Sequence, residues 1–227
     1  GFLQSLGVKY TGSGNEASAI CMDKQVSKAL VHRKRIDTPS WLVVNTNDSV
    51  PTNHDIDYPL IVKPNDQGST IGLTVVKNES ELKPAVSFAR QYAKTVLIEK
   101  YIPGREVTVA VIGEVPFPIV EIVPNHDLYD YECKYTKGMT NYYCPAELDK
   151  SLVKSIQNTA VTIHKLLGCR HYSRVDFRLD ENEKFWFLEV NTLPGMTETS
   201  LVPKSATAAG LSFPELIQKI INEAINN

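Results

Sequence analysis

Charged and amide side chains alternate with apolar ones in two short β-like segments near residue 180. The first segment spans residues 173–179 and the second spans residues 184–191. Strand side chains point alternately to opposite faces, so a hairpin of these segments would collect the polar side chains on one face. Those side chains belong to Arg174, Asp176, Glu189 and Asn191. Their chemistry suits a site for a divalent cation and an anion.

The turn of this hairpin decides which residues pair. Pairing Leu179 with Lys184 would place Phe187 opposite Asp176, with Glu189 at the diagonal position about 7 Å away. Two carboxylates this close repel each other, and Mg²⁺ held by carboxylate and amide oxygens would relieve the repulsion. The opposite face would be core, formed by Val175, Phe177, Leu179, Trp186, Leu188 and Val190. The alternative is a hairpin whose polar face is only solvated.

Two loops of small residues are suited to contact anions. The loop that follows the hairpin, up to Pro203, is rich in glycine, proline and threonine, and it offers backbone N–H groups and hydroxyls beside the predicted metal site. The other loop lies between predicted strands at 60–63 and 72–76, with Lys63 at the end of the first strand. It lacks the Walker A pattern, but a hairpin of this kind can cover phosphates with its backbone. The alternative is an ordinary turn shaped by Gly68 and Gly72.

Helical and strand patterns alternate along the chain and would position these residues. Helices are predicted at residues 15–36, 80–92, 148–167 and 214–224, and further strands at 41–44, 96–99 and 107–112. The segment 124–145 follows neither period, which is typical of a long ordered loop with a functional role. Lys24, inside the first helix, is most simply a solvated helix residue. The mixture indicates an α/β or α+β protein.

The overall composition excludes several classes of function. The 227 residues are 42% hydrophobic, enough for a sizeable core. With 24 basic and 26 acidic residues the net charge is −2, so no nucleic-acid partner is predicted. No apolar run approaches the roughly 18 residues of a membrane span, so no membrane association is predicted. The widely spaced cysteines predict reduced thiols and a cytoplasmic protein.

Several motifs, in order along the whole chain, resemble those of D-alanine–D-alanine ligases of the ATP-grasp superfamily. They are Tyr10-Thr-Gly-Ser-Gly14, Met22-Asp-Lys24, Ile61-Val-Lys-Pro64, Ile98-Glu-Lys100, Tyr129-Asp-Tyr-Glu-Cys-Lys-Tyr135, Arg174-Val-Asp176 and Glu189-Val-Asn-Thr-Leu-Pro-Gly-Met-Thr197. The resemblance implies an α+β ATP-grasp fold in which two α+β lobes hold ATP between them. Residues 1–23 would be the remnant of an N-terminal domain and linker, 24–103 the central lobe and 104–227 the C-terminal catalytic lobe.

The resemblance also implies an activity. The enzyme would use ATP to join two D-alanine molecules through a D-alanyl phosphate, giving D-alanyl-D-alanine for peptidoglycan. It would require two Mg²⁺ ions, for which Mn²⁺ can substitute, and would be a homodimer at full length. The glutamate that such enzymes supply from an N-terminal domain is absent here. Alternatives are a D-alanine–D-serine ligase, a D-alanine–D-lactate ligase, or a non-catalytic ATP-binding fragment.

Residue roles follow from the matching motifs of this family. The residues expected to contact ATP are Lys24 and Lys63 at the phosphates, Glu99, Lys100 and Ile102 at the adenine, and Glu106 at the ribose. The expected metal ligands are Asp176, Glu189 and Asn191. The loops that close over the reaction would contain Ser69, Lys134 and Tyr135. The intermediates would be stabilised by Arg174 and Gly195, and the second D-alanine carboxylate would be bound by Ser200 and Leu201.

Overall fold

The structure, a computed structural model, describes residues 1–51, 53–124 and 140–226. The helices are α1 (Phe2–Ser5), α2 (Asn15–Met22), α3 (Lys24–Arg33), α4 (Glu79–Ala89), α5 (Lys150–Leu166), α6 (Leu201–Ala208) and α7 (Phe213–Asn226). The strands are β1 (Trp41–Asn45), β2 (Leu60–Pro64), β3 (Thr74–Val76), β4 (Thr95–Lys100), β5 (Arg105–Ile112), β6 (Val115–Pro116), β7 (Val120–Pro124), β8 (Thr140–Tyr143), β9 (Tyr172–Leu179) and β10 (Phe185–Asn191).

The strands of the described residues form two antiparallel sheets. The first sheet has the order β1-β4-β2-β3. The second has the order β10-β9-β5-β7-β8, and β6 pairs with β5 beside this path. Antiparallel sheets combined with separate helices give an α+β fold, so the class predicted from the resemblance is confirmed.

Each sheet packs its apolar face against helices. Helix α4 covers the first sheet through Leu82 and Val86, which are buried with strand residues such as Val62. On the second sheet, α2, α3 and α5 pack over Phe177 and Phe187. The opposite face of that sheet carries α6 and α7, whose buried residues include Val202, Leu216 and Ile220. The second sheet is therefore the middle layer of a three-layer region.

The predicted helix at residues 15–36 is two helices, so the prediction of one continuous helix is wrong. Asp23 lies between α2 and α3 in an extended conformation, with φ −82° and ψ 100°. Its carboxylate accepts a hydrogen bond from the backbone N–H of Val26 at 3.0 Å, as an N-cap residue does. The cap ends α2 and starts α3, and both helices pack against β10 of the second sheet.

Two loops predicted from the sequence contain regular structure. The segment 124–145 was expected to be one long loop, but its C-terminal part forms β8, which pairs with β7 from Glu121↔Tyr143 to Pro124↔Thr140. Residues 125–139, including Lys134 and Tyr135, lie outside the described residues. The loop after β10 is also shorter than expected, because α6 begins at Leu201. Pro203 lies in the first turn of α6, where the missing N–H costs no helical hydrogen bond.

Among the helices of the described ranges, none combines the length and apolar character required to cross a bilayer. The cysteines in these ranges, Cys21, Cys144 and Cys169, are free thiols. Two of them meet between α2 and the second sheet, with 3.7 Å between the Sγ atoms of Cys21 and Cys169.

A buried histidine makes stability depend on pH. His164 on α5 lies with Nδ1 2.7 Å from Ser173 Oγ, and burial lowers the pKa of His164 to about 4. Between pH 6.5 and 4, His164 binds a proton in the unfolded chain but stays neutral in the native chain. The free energy of unfolding therefore falls as the pH is lowered through this range. Titration of this one group should remove about 3 kcal/mol.

This loss can be isolated with His164→Asn, which retains a hydrogen-bonding side chain but does not titrate. Urea unfolding of both proteins at pH 7 and pH 4.5 should show a smaller decrease in the variant. Parallel decreases would show that His164 does not contribute.

Candidate active site

An extra residue in β10 determines which side chains face the cleft. Pairing is regular from Phe185↔Leu179 to Phe187↔Phe177, and it then shifts so that Glu189 lies opposite Asp176 and Asn191 opposite Arg174. Leu188 is the unpaired residue of this β-bulge. Because of the bulge, Phe187 faces the core while Glu189 still shares a face with Asp176. The two carboxylates are direct cross-strand neighbours, whose Cβ atoms lie about 5 Å apart in such pairs.

The predicted polar face is therefore present, but the predicted register is wrong. Phe187 was expected opposite Asp176, and it is instead fully buried in the core opposite Phe177. Leu188, expected in the core, lines the cleft. Trp186 was also expected in the core, but it is only partly buried and donates from Nε1 to Asp180 Oδ2 at 2.9 Å. The remaining predicted core positions are buried: Val175, Phe177, Leu179 and Val190.

Each carboxylate of this face is held by a positive side chain. Arg174 makes a two-pronged contact with Asp176, with Nε 2.9 Å from Oδ1 and Nη2 2.8 Å from Oδ2. Asp176 also accepts a hydrogen bond from Thr108, and the amide of Asn191 lies 3.5 Å from its Oδ2. Glu189 Oε2 is 3.2 Å from Lys24 Nζ. Two acids, an amide and two cationic side chains thus converge on one patch.

Lys24 is a buried part of this patch, so its interpretation as a solvated helix residue is wrong. Its ammonium group donates to the backbone carbonyl of Gln67 at 2.6 Å in addition to its contact with Glu189. The start of α3 is fixed to the same loop, because Asn65 Oδ1 accepts from the N–H of Gln25 at 2.8 Å. The cap at Asp23 thus delivers Lys24 to the loop between β2 and β3.

The loop between β2 and β3 has an unusual backbone at its tip. Ser69 and Thr70 both have positive φ angles, 54° and 63°, which side chains other than glycine rarely adopt. Gly72 has φ 72°, and a Cβ there would lie 2.7 Å from Tyr92 and 2.8 Å from Pro64, so only glycine fits. The loop is therefore a specifically shaped wall of the cleft.

Lys63, at the end of β2, shares a buried carboxylate with a second lysine. Glu99 on β4 contacts Lys63 through Oε1, and its Oε2 lies 2.9 Å from Lys28 Nζ. Burial alone would raise the pKa of Glu99, but the charges of Lys28 and Lys63 hold it at about 2. Burial lowers the pKa of Lys28 to about 8, so at neutral pH this cluster carries two positive charges and one negative charge.

A narrower slot continues from Lys63 and is mostly apolar. Its lining residues include Ile61, Leu73, Ile102 and Leu188, with the Tyr101 and Lys100 segment of the β4–β5 connection along one side. Glu106 stands at its mouth, 3.7 Å from Arg178 Nη1. An apolar slot with a carboxylate at its mouth can hold a flat heterocycle and a sugar hydroxyl.

At the other end the cleft opens beside the loop that follows β10. Ser200 Oγ is 3.1 Å from the backbone N of Thr197 and 2.9 Å from its hydroxyl. Gly195, Ser200 and Leu201 line this part of the cleft together with Arg174 and Asn191. The arrangement offers backbone N–H groups and hydroxyls next to a guanidinium, which suits a small carboxylate.

The three sections form one cleft, because they share lining residues. Lys63, Leu73, Glu106 and Leu188 line both the apolar slot and the central section. Gly68, Ser69, Arg174 and Glu189 line both the central and the far section. The cleft is lined by every predicted site residue that the structure describes: Lys24, Lys63, Ser69, Glu99, Lys100, Ile102, Glu106, Arg174, Asp176, Glu189, Asn191, Gly195, Ser200 and Leu201.

Sequence reasoning missed three residues of this region. Lys28 follows Lys24 by four positions, one helical turn, and this spacing was a usable signal that both face the same way. Arg178 continues the alternation of Arg174 and Asp176 along β9, which was also readable. Leu188 carried no signal, because nothing in an apolar strand marks which residue will be the extra one.

Comparison with known proteins identifies the family. The family model described as D-ala D-ala ligase C-terminus matches residues 30–222. D-alanine–D-alanine ligases of Syntrophotalea carbinolica and Nitrosomonas europaea are each 43% identical to the chain over 97% of its length, which is 72% and 73% of theirs. The D-alanine–D-alanine ligase of Bacillus anthracis, solved in complex with ATP, superposes with a TM-score of 0.85 at 32% identity, covering 99% of this chain and 72% of that one. The chain belongs to the D-alanine–D-alanine ligase family and has its ATP-grasp fold.

Proposed function

We propose that the chain is the ATP-binding and catalytic part of a ligase that joins two D-alanine molecules, with ADP and phosphate as the other products. The observation that carries the proposal is the single cleft, which joins an apolar slot, a lysine-lined centre and a carboxylate-binding end. A nucleotide in this cleft would place its base in the slot and its phosphates at Lys24 and Lys63. D-alanyl-D-alanine made in this way would serve peptidoglycan synthesis.

The chemistry requires activation of a carboxylate, which is a poor electrophile. The carboxylate of the first D-alanine takes the γ-phosphoryl group of ATP, and the amine of the second then attacks the acyl carbon and expels phosphate. The chain contributes by positioning charge: Lys24 and Lys63 neutralise phosphate oxygens, and Arg174 stabilises the negative charge that develops on the acyl group. The backbone of Gly195 assists Arg174 in stabilising the intermediates, and Ser200 and Leu201 hold the carboxylate of the second D-alanine.

The donor set of the polar face fits Mg²⁺. Asp176 and Glu189 are direct neighbours on one face and Asn191 adds an amide oxygen, a set of hard oxygen donors that Mg²⁺ prefers. Each carboxylate contacts a cationic side chain, Lys24 at Glu189 and Arg174 at Asp176, so this face attracts positive charge. We propose that this face binds two Mg²⁺ ions, replaceable by Mn²⁺. Mg²⁺ bound there would shield the phosphate oxygens during transfer.

ADP release measured with D-alanine, D-serine and D-lactate in turn distinguishes this proposal from its alternatives. We expect turnover with D-alanine as the acceptor, in a protein extended to the length of its relatives. Turnover only with D-serine or D-lactate would assign a different acceptor. ATP binding without turnover on any of the three would favour a non-catalytic module.

A substitution in the loop after β10 should affect the acceptor end alone. A Cβ at Gly195 would lie 2.8 Å from Ser200 Oγ, so Gly195→Ala should displace this hydroxyl. We expect the KM for D-alanine to rise about tenfold, the cost of one hydrogen bond to a charged group, with the affinity for a non-hydrolysable ATP analogue unchanged. Ser200→Ala removes the same hydroxyl directly and should raise the KM for D-alanine by a similar factor. An unchanged KM in both variants would remove this loop from the acceptor site.

We further propose a homodimer and a cytoplasmic location for the full-length protein, which light scattering and cell fractionation would test. We also propose that the two lobes of the fold comprise residues 24–103 and 104–227. The loops that close the cleft would contain Ser69, Lys134 and Tyr135. Protection of the segment 124–145 from proteolysis by the ATP analogue would support its closing role.

A further inference from the structure

Lys28 is a fully buried lysine at the junction of the two sheets. Its side chain has no exposed surface, and its ammonium group is 2.9 Å from Glu99 Oε2 and 2.8 Å from Thr38 Oγ1. The ring of Trp41 lies 5.1 Å away. A buried ion pair seldom contributes net stability relative to apolar residues of similar size. A contribution to folding stability alone therefore does not account for a lysine at position 28.

One side of Lys28 faces the cleft through a shared carboxylate. Glu99 contacts Lys28 with one oxygen and Lys63 with the other. If Glu99 had only Lys63 as a partner, the pair would be neutral. With Lys28 present, the cluster of two lysines and one carboxylate keeps one net positive charge, and Lys63 carries it into the cleft.

The other side of Lys28 reaches the bulge in β10 through Thr38. The Thr38 hydroxyl accepts from Lys28 and donates to the backbone carbonyl of Phe187 at 2.9 Å. The N–H of Phe187 donates to the carbonyl of Asp37 at 2.8 Å, so both backbone groups of this residue are held by the same short segment. Phe187 is the last regular residue before the bulge at Leu188, which turns Glu189 into the cleft.

We propose that Lys28 is a positioning residue for the triphosphate of ATP, a role that rests on the proposed function. Through Glu99 it leaves the cluster of Lys28, Glu99 and Lys63 with one net positive charge, which Lys63 presents to the cleft. Through Thr38 it secures the backbone next to Glu189. Lys28 lines no part of the cleft, so it acts only through these neighbours.

Charge-restoring variants test the first part of the proposal. The measurement is calorimetric titration of this chain with Mg²⁺ and a non-hydrolysable ATP analogue. Lys28→Met neutralises the cluster, and we expect the affinity to fall about tenfold or more, because a unit positive charge next to the Lys63–Glu99 pair is lost. The double variant Lys28→Met/Glu99→Gln restores one net positive charge and should bind at least about threefold more tightly than Lys28→Met, with Glu99→Gln alone measuring what the slot loses when Glu99 is changed.

The affinities of the single and double variants decide between support and rejection of the proposal. Loss in the single variant with recovery in the double, between proteins that are equally folded, supports the proposal. A folded Lys28→Met that binds like the unmodified chain, or a double variant as weak as the single, overturns it. Urea unfolding shows which variants are folded. If Lys28→Met does not fold, Lys28→Gln removes the charge while keeping a donor for Glu99.

Two further variants complete the test. Thr38→Val cuts the connection to Phe187 without changing the charge, and a loss of about threefold to tenfold is expected from one hydrogen bond. Unchanged affinity there overturns the second connection. Lys165→Met, which removes an exposed ion pair with Glu114, is the matched control and should have no effect. If the unmodified chain itself fails to bind the analogue, the proposed function fails and this inference falls with it. If only the Lys28 variants are unaffected, this inference alone fails.

Discussion

Asp176→Asn is expected to lower the Mg²⁺-dependent affinity of the chain for a non-hydrolysable ATP analogue about 100-fold. The substitution keeps the size of the side chain and its contacts with Thr108 and Asn191, but it removes the negative charge. Arg174 then loses its counterion, and a metal between residues 176 and 189 would have one carboxylate in place of two. Titration with and without Mg²⁺ measures the effect.

The magnesium dependence is the decisive part of this experiment. In EDTA the variant should bind the analogue at least as tightly as the unmodified chain, because without the metal the loss of a negative charge favours the phosphates. A loss of the same size with and without Mg²⁺ would mean that Asp176 acts on the nucleotide by another route. Asp149→Asn is a suitable control, since Asp149 is exposed and its side chain makes no capping hydrogen bond at the start of α5. Glu189→Gln should reproduce the loss.

Arg174→Lys is expected to reduce D-alanine-dependent ADP release about 100- to 1,000-fold while changing the affinity for the ATP analogue less than about threefold. Lysine retains the positive charge next to Asp176, so the charge of the cleft is preserved. It cannot present two parallel N–H groups to a carboxylate or an acyl phosphate. The loss should therefore appear in kcat, since this interaction is strongest when the negative charge develops.

The same sheet supplies a matched control for this arginine. Arg105 on β5 makes a two-pronged contact with Glu121 at 2.6 Å for both hydrogen bonds, and it does not line the cleft. Arg105→Lys should leave ADP release unchanged. If both arginine variants lose activity equally, the effect comes from the stability of the sheet. If Arg174→Lys keeps full activity, the bidentate geometry is not used in the reaction.

Alternation along strands was enough to predict the polar face from the sequence. The four polar side chains do share one face: Arg174, Asp176, Glu189 and Asn191. The opposite face is fixed by the burial of Val175, Phe177 and Val190 in the core. The register between the strands could not be predicted in the same way. The bulge is favoured by packing between distant elements, because it allows Phe187 to be buried among α2, α3 and α5. The residue type at Leu188 does not indicate that a bulge occurs there.

Burial of charged residues was the least predictable feature. Lys24 has the sequence context of an exposed helix position, and only its placement against the loop between β2 and β3 makes it a buried, paired side chain. The Asp23 cap that creates this placement was readable, since aspartate before a helical segment is a common start signal. The resemblance to the family added what local patterns could not, namely the prediction that Lys24 contacts a phosphate.

The hairpin that carries the acids should tolerate the loss of a residue at its bulge and not beside it. Side chains of a strand reverse face with each residue, but Leu188 is the extra residue, so its deletion would restore regular alternation with Glu189 still opposite Asp176. Deleting a paired residue such as Val190 would instead turn Asn191 into the layer filled by α2 and α3. Natural length variation within residues 185–191 should therefore be confined to position 188, and other changes of length should occur in the exposed turn at 181–184.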